Sequence, residues 1–111
     1  MLKKFLFDTL QWRGWFGAKT EKLQEKRKRY LEKLILLGVF YKVEIPGNLP
    51  HLWVKPAFYT LDFETQSEFV NVVYAYYFTA NPISNTVVLF DSRTGEKIGE
   101  YAEAYGGLRL D

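Results

Sequence analysis

The sequence predicts an α+β domain: two N-terminal helices and one central helix packed on a small antiparallel sheet of about four strands in hairpins. Apolar residues recur at helical spacing in the first third of the chain and again near its middle, and short alternating segments follow each helical stretch. A length of 111 residues fits one domain, 1–111. Within it, 1–38 form a basic helical N-terminal region and 39–111 an α+β body.

The first two predicted elements are helices. A short helix over 2–12 follows from the spacing of its apolar residues, and the glycines at 14 and 17 end it. A longer helix spans about 18–37 and ends at Gly38, a residue well suited to a helix C-terminus. Its apolar stripe consists of Leu23, Tyr30, Leu31, Leu34 and Leu37.

Two strands are predicted next, at 39–45 and 51–55, because both segments alternate and are rich in β-branched and aromatic residues. The intervening PGNLP is a turn, so the two strands can pair as a hairpin. The segment 57–61 fits either a strand or the lead-in to a helix.

The segment 62–78 is predicted to be a helix, with a buried strand as the alternative. Asp62 is a candidate N-cap, and Phe69, Val72 and Tyr76 recur at helical spacing. The run VNVVYAYYF favours a strand instead, because β-branched and aromatic residues are enriched in sheets.

The C-terminal part predicts a β-hairpin. Strands at 86–91 and 96–102 flank the turn SRTG, in which Gly95 can adopt a positive φ. The final GGLRLD is expected to be an edge or a frayed end.

Charge is distributed unevenly although the net charge is only +2. Residues 1–43 carry eleven Lys/Arg and four Asp/Glu, a balance of +7, whereas 44–111 carry four and nine, a balance of −5. This split indicates either an acidic partner for the N-terminal part or contact between copies of the chain.

The candidate binding residues lie in the basic, aromatic N-terminal region. They are Trp12, Arg13, Trp15, Phe16, Lys26, Arg27, Lys28 and Arg29. Residues 26–29 sweep about 300° around a helix, so they form a girdle rather than one basic face. Arg27 falls on the apolar stripe. The girdle is therefore either a solvated surface, a contact for phosphate or anionic lipid, or a contact between subunits, and the rings either cap the core or meet a partner protein or a membrane.

Chemistry-bearing motifs are scarce. There is no cysteine, and the single histidine, His51, is expected to be structural or solvent-facing rather than a ligand, with a pH-sensing role as the alternative. Glu64 and Glu68 are expected to be solvated, and the tyrosines of YAYYF to pack in the core or an interface. We expect no catalytic residue, no metal site, no cofactor and no small-molecule substrate.

The sequence therefore predicts a small non-enzymatic protein-interaction module that binds another protein or a second copy of itself. A peripheral membrane-surface protein is the first alternative, and a nucleic-acid-binding protein, which the acidic surroundings of YAYYF disfavour, is the second. Neither a signal peptide nor a membrane-spanning segment is evident, so a cytoplasmic location is expected, with peripheral membrane association as a further option.

Overall fold

The computed structural model describes residues 21–78 and 85–111. Across them it contains three α-helices and one five-stranded sheet. The helices are α1 (Glu21–Leu36), α2 (Pro56–Tyr59) and α3 (Phe63–Tyr77). The strands are β1 (Phe40–Glu44), β2 (His51–Val54), β3 (Val87–Asp91), β4 (Lys97–Ala102) and β5 (Gly107–Leu110). The α+β class is thus confirmed.

The sheet differs from the predicted antiparallel sheet of about four strands, because it is mixed and has five. Its strands lie side by side in chain order, and each neighbouring pair is antiparallel except β2 and β3, which are parallel. A parallel pair needs a crossover connection, and here α2 and α3 supply it. Alternation within a strand does not report the direction of its neighbour, so the sequence pattern could not reveal the parallel pair.

The fifth strand is the C-terminal segment that was predicted to be edge-like or frayed. Gly106 and Gly107 both adopt positive φ, at 85° and 108°, which reverses the chain after β4. Leu108 then faces Tyr101 across the antiparallel pair and is buried. Burial of this leucine holds β5 as an edge strand.

Helix α1 confirms the described part of the predicted helix over 18–37, whereas the predicted helix over 2–12 lies outside the described residues. Tyr30, Leu31 and Leu34 of the predicted stripe are buried. At its C-terminus, Gly38 has φ 81°, and the amide of Val39 donates to the carbonyl of Leu34 at 3.0 Å. This is the hydrogen bonding of a glycine-terminated helix.

Helix α3 resolves the ambiguity of 62–78 in favour of a helix. Asp62 is its N-cap, and its Oδ1 accepts a hydrogen bond from the amide of Thr65 at 2.7 Å. Nine residues of α3 are buried, because the helix packs on the sheet and against α1. A helix covered on two sides is apolar around most of its circumference, which accounts for its strand-like composition. The ambiguous segment 57–61 begins inside α2, which starts at Pro56.

The core lies between one face of the sheet and the helices. Phe40, Leu52, Val54, Val87 and Leu89 point from the strands into it and are fully inaccessible. From the helix side come Phe58 of α2 and Phe69, Val70, Val72 and Val73 of α3, also fully inaccessible. The described helices therefore bury one face of the sheet, and the residues that alternate with the core positions point to the opposite face.

Gly99 in β4 is required by a close approach of backbone. A Cβ atom there would overlap the carbonyl oxygen of Arg109 and lie 3.0 Å from the Cα of Leu110. We expect Gly99→Ala to lower the free energy of unfolding by about 1–3 kcal/mol, as overpacking does. Urea denaturation measures it.

Glu100→Ala is the matched control, since that side chain lies on the opposite face and makes surface ion pairs. It should cost no more than about 1 kcal/mol. Equal losses for the two variants would contradict the close approach at Gly99.

Candidate interaction surfaces

Of the basic girdle, Arg27 is a structural residue. Its side chain is 2% exposed, and its Nη1 donates to Oε1 of Gln24 at 2.8 Å. Gln24 in turn donates to the carbonyl oxygen of Tyr76 at 2.8 Å, which joins α1 to the end of α3. Burial lowers the pKa of the Arg27 guanidinium. The expected position of Arg27 on the apolar stripe is confirmed, and this burial removes its charge from any docking surface.

The rest of the girdle is divided. Lys28 and Arg29 are exposed, Lys26 is half-buried, and Arg29 pairs with Glu25 of the preceding turn at 3.4 Å. Such exposed pairs contribute little to stability. The predicted site residues Trp12, Arg13, Trp15 and Phe16 lie outside the described residues. Within the described part, the predicted site thus reduces to a few solvated cations with an acidic neighbour.

An aromatic strip crosses the face of the sheet opposite the core. The ring of Phe90 in β3 lies 4.9 Å from that of Trp53 in β2, nearly parallel to it, and 4.7 Å from that of His51. Lys42 of β1 places its Nζ 5.5 Å from the centre of the Trp53 ring. Because Trp53 is already in contact with a ring and a cation, it is a poor platform for stacking a nucleic-acid base.

Charged side chains flank this strip in ion pairs. On the β1 side, Nζ of Lys42 donates to Glu44 at 3.1 Å, and Nε1 of Trp53 donates to the same carboxylate at 3.0 Å. The hydrogen bond from Lys42 is the main cause that lowers the pKa of Glu44. On the β5 side, Lys97 pairs with Glu100 at 3.5 Å and with Asp111 at 3.7 Å, and Arg109 pairs with Glu100 at 3.6 Å.

No described helix covers this surface, which we call the open sheet face, and it consists of ten residues. They are Lys42, Glu44, His51, Trp53, Val88, Phe90, Lys97, Glu100, Arg109 and Asp111. Three are cationic and three are carboxylates, so with neutral histidine its formal charge is zero. A neutral face with every cation beside a carboxylate is a weak attractor for polyanions.

The second surface lies at one end of the molecule. Helices α1 and α3 run antiparallel, since Gln24 contacts Tyr76 and the ring of Tyr30 lies 6.2 Å from that of Phe69. The C-terminus of α1 is therefore beside the N-terminus of α3. The amide of Lys55 donates to the carbonyl of Val39 at 3.0 Å, which brings the start of α2 to the same end.

Exposed apolar side chains concentrate at this end. Nine large apolar residues are exposed in the described part of the chain, and six of them lie here. We call this set the apolar end: Ile35, Leu36, Leu37, Tyr41, Tyr59 and Phe63. Leu36 is 85% exposed and Phe63 is 55% exposed. Concentrated apolar exposure is typical of an interaction site rather than of an inert surface.

The apolar end is tied to the sheet by a hydrogen bond between Tyr59 and Asp91. The Tyr59 hydroxyl donates to Oδ2 of Asp91 at 2.6 Å, and Oδ1 accepts from the amides of Arg93 and Thr94. These bonds lower the pKa of Asp91, that from Tyr59 contributing most. Burial, and then the bond to Asp91, raise the pKa of Tyr59 to about 12. Asp91 therefore fixes α2, β3 and the β3–β4 turn together.

Two other residues that the sequence analysis considers, Tyr74 and Glu68, lie in the interior of the protein. Tyr74 of YAYYF is buried, with its ring 5.1 Å from that of Tyr101, as the expectation of core packing requires. Glu68 is 7% exposed, so the expectation that it is solvated is wrong, whereas Glu64 is exposed.

Within 21–78 and 85–111, no group of three or more histidine or acidic side chains could hold a metal ion. No described helix is long and apolar enough to cross a membrane.

Comparisons with known proteins were negative: no family model, curated protein or solved structure matches the chain.

The sequence contained a partial signal for the two surfaces. Alternation in 51–55 and 86–91 placed His51, Trp53 and Phe90 on one side of their strands, but not beside one another. Their proximity depends on the parallel pairing of β2 with β3. For the apolar end, the run of four apolar residues at 34–37 was visible, yet only the packing of α1 shows that Leu34 is buried while Leu36 is exposed.

The buried role of Arg27 predicts a sharp contrast within the girdle. We expect Arg27→Ala to lower the free energy of unfolding by roughly 2–4 kcal/mol, because it removes a large side chain from the interior. Arg29→Ala, two residues further along the same helix, should change it by no more than about 0.5 kcal/mol. Chemical denaturation with both variants checks this, and similar small effects would contradict the burial of Arg27.

The Tyr59–Asp91 bond predicts how stability depends on pH. The pKa of Asp91 is lower in the folded protein, so its contribution is complete above about pH 4 and is lost as the pH falls further. The pKa of Tyr59 is higher in the folded protein, so its contribution is complete below about pH 10 and is lost as the pH rises toward about 12.

Tyr59→Phe should therefore lower the urea midpoint at pH 7, and its difference from wild type should shrink at pH 3 and at pH 11. Tyr41→Phe is the control, since Tyr41 is similarly exposed. A difference for Tyr59→Phe that is constant across this range would show that the bond does not titrate.

Proposed function

We propose that this protein is a small non-enzymatic protein-interaction module that docks a partner protein on its apolar end. The main support for this proposal is that six of the nine large apolar side chains that are exposed in the described residues lie at one end of the molecule. Burying them against a partner would remove substantial apolar area from water, which is the main driving force of protein association.

The composition of the apolar end favours protein over lipid or nucleic acid. Its aromatic members, Tyr41, Tyr59 and Phe63, are of the kind enriched in protein interfaces. The charged residues at the same end are mostly acidic. They are Lys33, Lys55 and Arg93 against Glu32, Asp62, Glu64, Asp91 and Glu96. A rim without net positive charge gives no attraction to an anionic bilayer or to phosphates, so the partner chemistry that fits is an apolar protein surface with a mixed polar rim.

A protein-interaction module is also the function expected from the sequence, but the proposed site is now the apolar end instead of the N-terminal region. The N-terminal rings and Arg27 are among the candidate binding residues that the sequence suggests. Arg27 is buried between helices, and the rings lie outside the described residues, so support for the interaction now comes from Leu36 and Phe63.

The test uses glutamate substitutions at exposed positions. Leu36→Glu and Phe63→Glu place a charge in the apolar end, whereas Ile45→Glu places one in the β1–β2 loop at the opposite end, where Ile45 is 46% exposed. Tagged proteins are cross-linked in the source cells, and proteins retained by wild type and Ile45→Glu but lost with Leu36→Glu are purified. We expect direct titration of such a protein to show at least about tenfold weaker binding for both end variants.

Two results would overturn the proposal. One is the absence of any protein whose binding distinguishes Leu36→Glu from Ile45→Glu. The other is flotation of the purified wild type with phosphatidylcholine or phosphatidylserine vesicles that Leu36→Glu abolishes, since the apolar end would then serve a membrane. Circular dichroism and Tm must be unchanged in all three variants.

A further inference from the structure

The open sheet face is ordered into two rows that cross all five strands. The strand registers align Glu44 with His51, His51 with Val88, Val88 with Glu100, and Glu100 with Arg109. We call these five residues the first row.

The second row lies two residues away along each strand, except on β4, where a bulge makes the separation three residues. Its members are Lys42, Trp53, Phe90, Lys97 and Asp111. Lys42 pairs with Trp53, Trp53 with Phe90, and Phe90 with Lys97 across a bulge. Asp111 completes the row, since its amide donates to the carbonyl of Ile98 at 2.8 Å and its carboxylate lies 3.7 Å from Lys97.

The sign of charge reverses between the rows on every charged strand. Glu44 of the first row is matched by Lys42 of the second on β1, and Glu100 by Lys97 on β4. On β5 the order is inverted, with Arg109 in the first row and Asp111, which follows β5 directly, in the second. The central strands β2 and β3 carry only the histidine, the two rings and Val88. Each row therefore has an aromatic or apolar centre with charges at both ends.

This arrangement is complementary to itself. When two such faces meet about a two-fold axis perpendicular to the strands, the first row of one copy lies over the second row of the other. Glu44 then opposes Lys42 of the second copy, Glu100 opposes Lys97, and Arg109 opposes Asp111. Each contact occurs twice by symmetry, and the aromatic strips meet in the middle.

The other two-fold axis, parallel to the strands, also brings opposite charges together. It places β1 over β5 of the second copy, so that Glu44 opposes Arg109 and Lys42 opposes Asp111. Lys97 then lies over Trp53, and Glu100 over His51. We propose that the open sheet face binds the open sheet face of a second copy of this chain, forming a two-fold symmetric β-sandwich dimer. This proposal does not rest on the function proposed for the apolar end.

The small area of the open sheet face limits the affinity of this dimer. Five strands about 4.8 Å apart and about five residues long at about 3.3 Å per residue span an area on the order of 400 Å². Stable complexes bury about 800 Å² per partner. The dimer is therefore expected to be weak, with a dissociation constant in the micromolar range or above. Its charged contacts fix the orientation of the two copies more than they add affinity.

Sedimentation velocity of the full chain over a wide concentration range is the first measurement. We expect a monomer–dimer equilibrium that weakens as salt rises, because the opposing charges remain partly hydrated. Lys42→Glu places two carboxylates against carboxylates under either axis and should weaken the dimer by about tenfold or more. Phe63→Glu, in the apolar end, should leave the equilibrium unchanged, so that failure of one proposal is not mistaken for failure of the other.

Mixing variants separates contact between copies from effects within one copy. Glu44→Lys and Asp111→Lys should each dimerise poorly alone. Under the perpendicular axis, an equimolar mixture of Lys42→Glu with Glu44→Lys restores the opposite charges and hence the dimer. Under the parallel axis, the mixture of Lys42→Glu with Asp111→Lys restores it instead. Recovery in one of these mixtures supports the proposal, because changes in the fold of one copy cannot be repaired by the other.

A wild-type protein that stays monomeric at all concentrations would overturn the proposal. So would a dimer that is insensitive to Lys42→Glu, or one that neither mixture restores. Lys42 and Glu44 also pair within one copy. The Tm of each variant is therefore measured as well, and an unchanged Tm shows that the fold is intact.

Discussion

Helix α3 packs on the sheet and against helix α1, and this packing determines how the other elements are arranged. Its fully buried residues, Phe69, Val70, Val72 and Val73, connect the two layers. Because α3 is the crossover between β2 and β3, its placement also makes those strands parallel neighbours. That neighbourhood in turn brings Trp53 and Phe90 together on the opposite face. The core and the aromatic strip therefore have a common origin.

Burying one side of the sheet leaves the chain with two surfaces of different character. The open sheet face is neutral, ordered in rows and matched to itself, whereas the apolar end is irregular and formed by the termini of four elements, α1, β1, α2 and α3. We propose a second copy as the partner of the first surface and a different protein as the partner of the second. Such a division would allow a dimer to present two apolar ends to its partners.

Sequence patterns predicted most local structure, because periodicity and capping act over a few residues. The helix at 63–77, the Asp62 cap, the positive φ of Gly95 and the β1–β2 hairpin all follow from such rules. The parallel pair and the fifth strand did not, since both depend on contacts between distant residues. The same limit applies to the surfaces: a helical wheel placed Arg27 on the apolar stripe, but the two charged rows exist only once five strands are in register. The burial of Glu68 is not predicted by the helical pattern, because it depends on how α3 packs in the tertiary structure.

Helices seal one face of the sheet, and we propose that a second copy of the chain covers the other face, which no described helix covers. Hydroxyl-radical footprinting at low and high protein concentration tests this most directly. We expect Trp53, His51 and Phe90 to be oxidised in dilute solution and protected in concentrated solution, with Phe40 and Phe58 protected in both and Phe63 oxidised in both. Equal oxidation of Trp53 and Phe90 at all concentrations would contradict the dimer, and their protection even in dilute solution would contradict the open face.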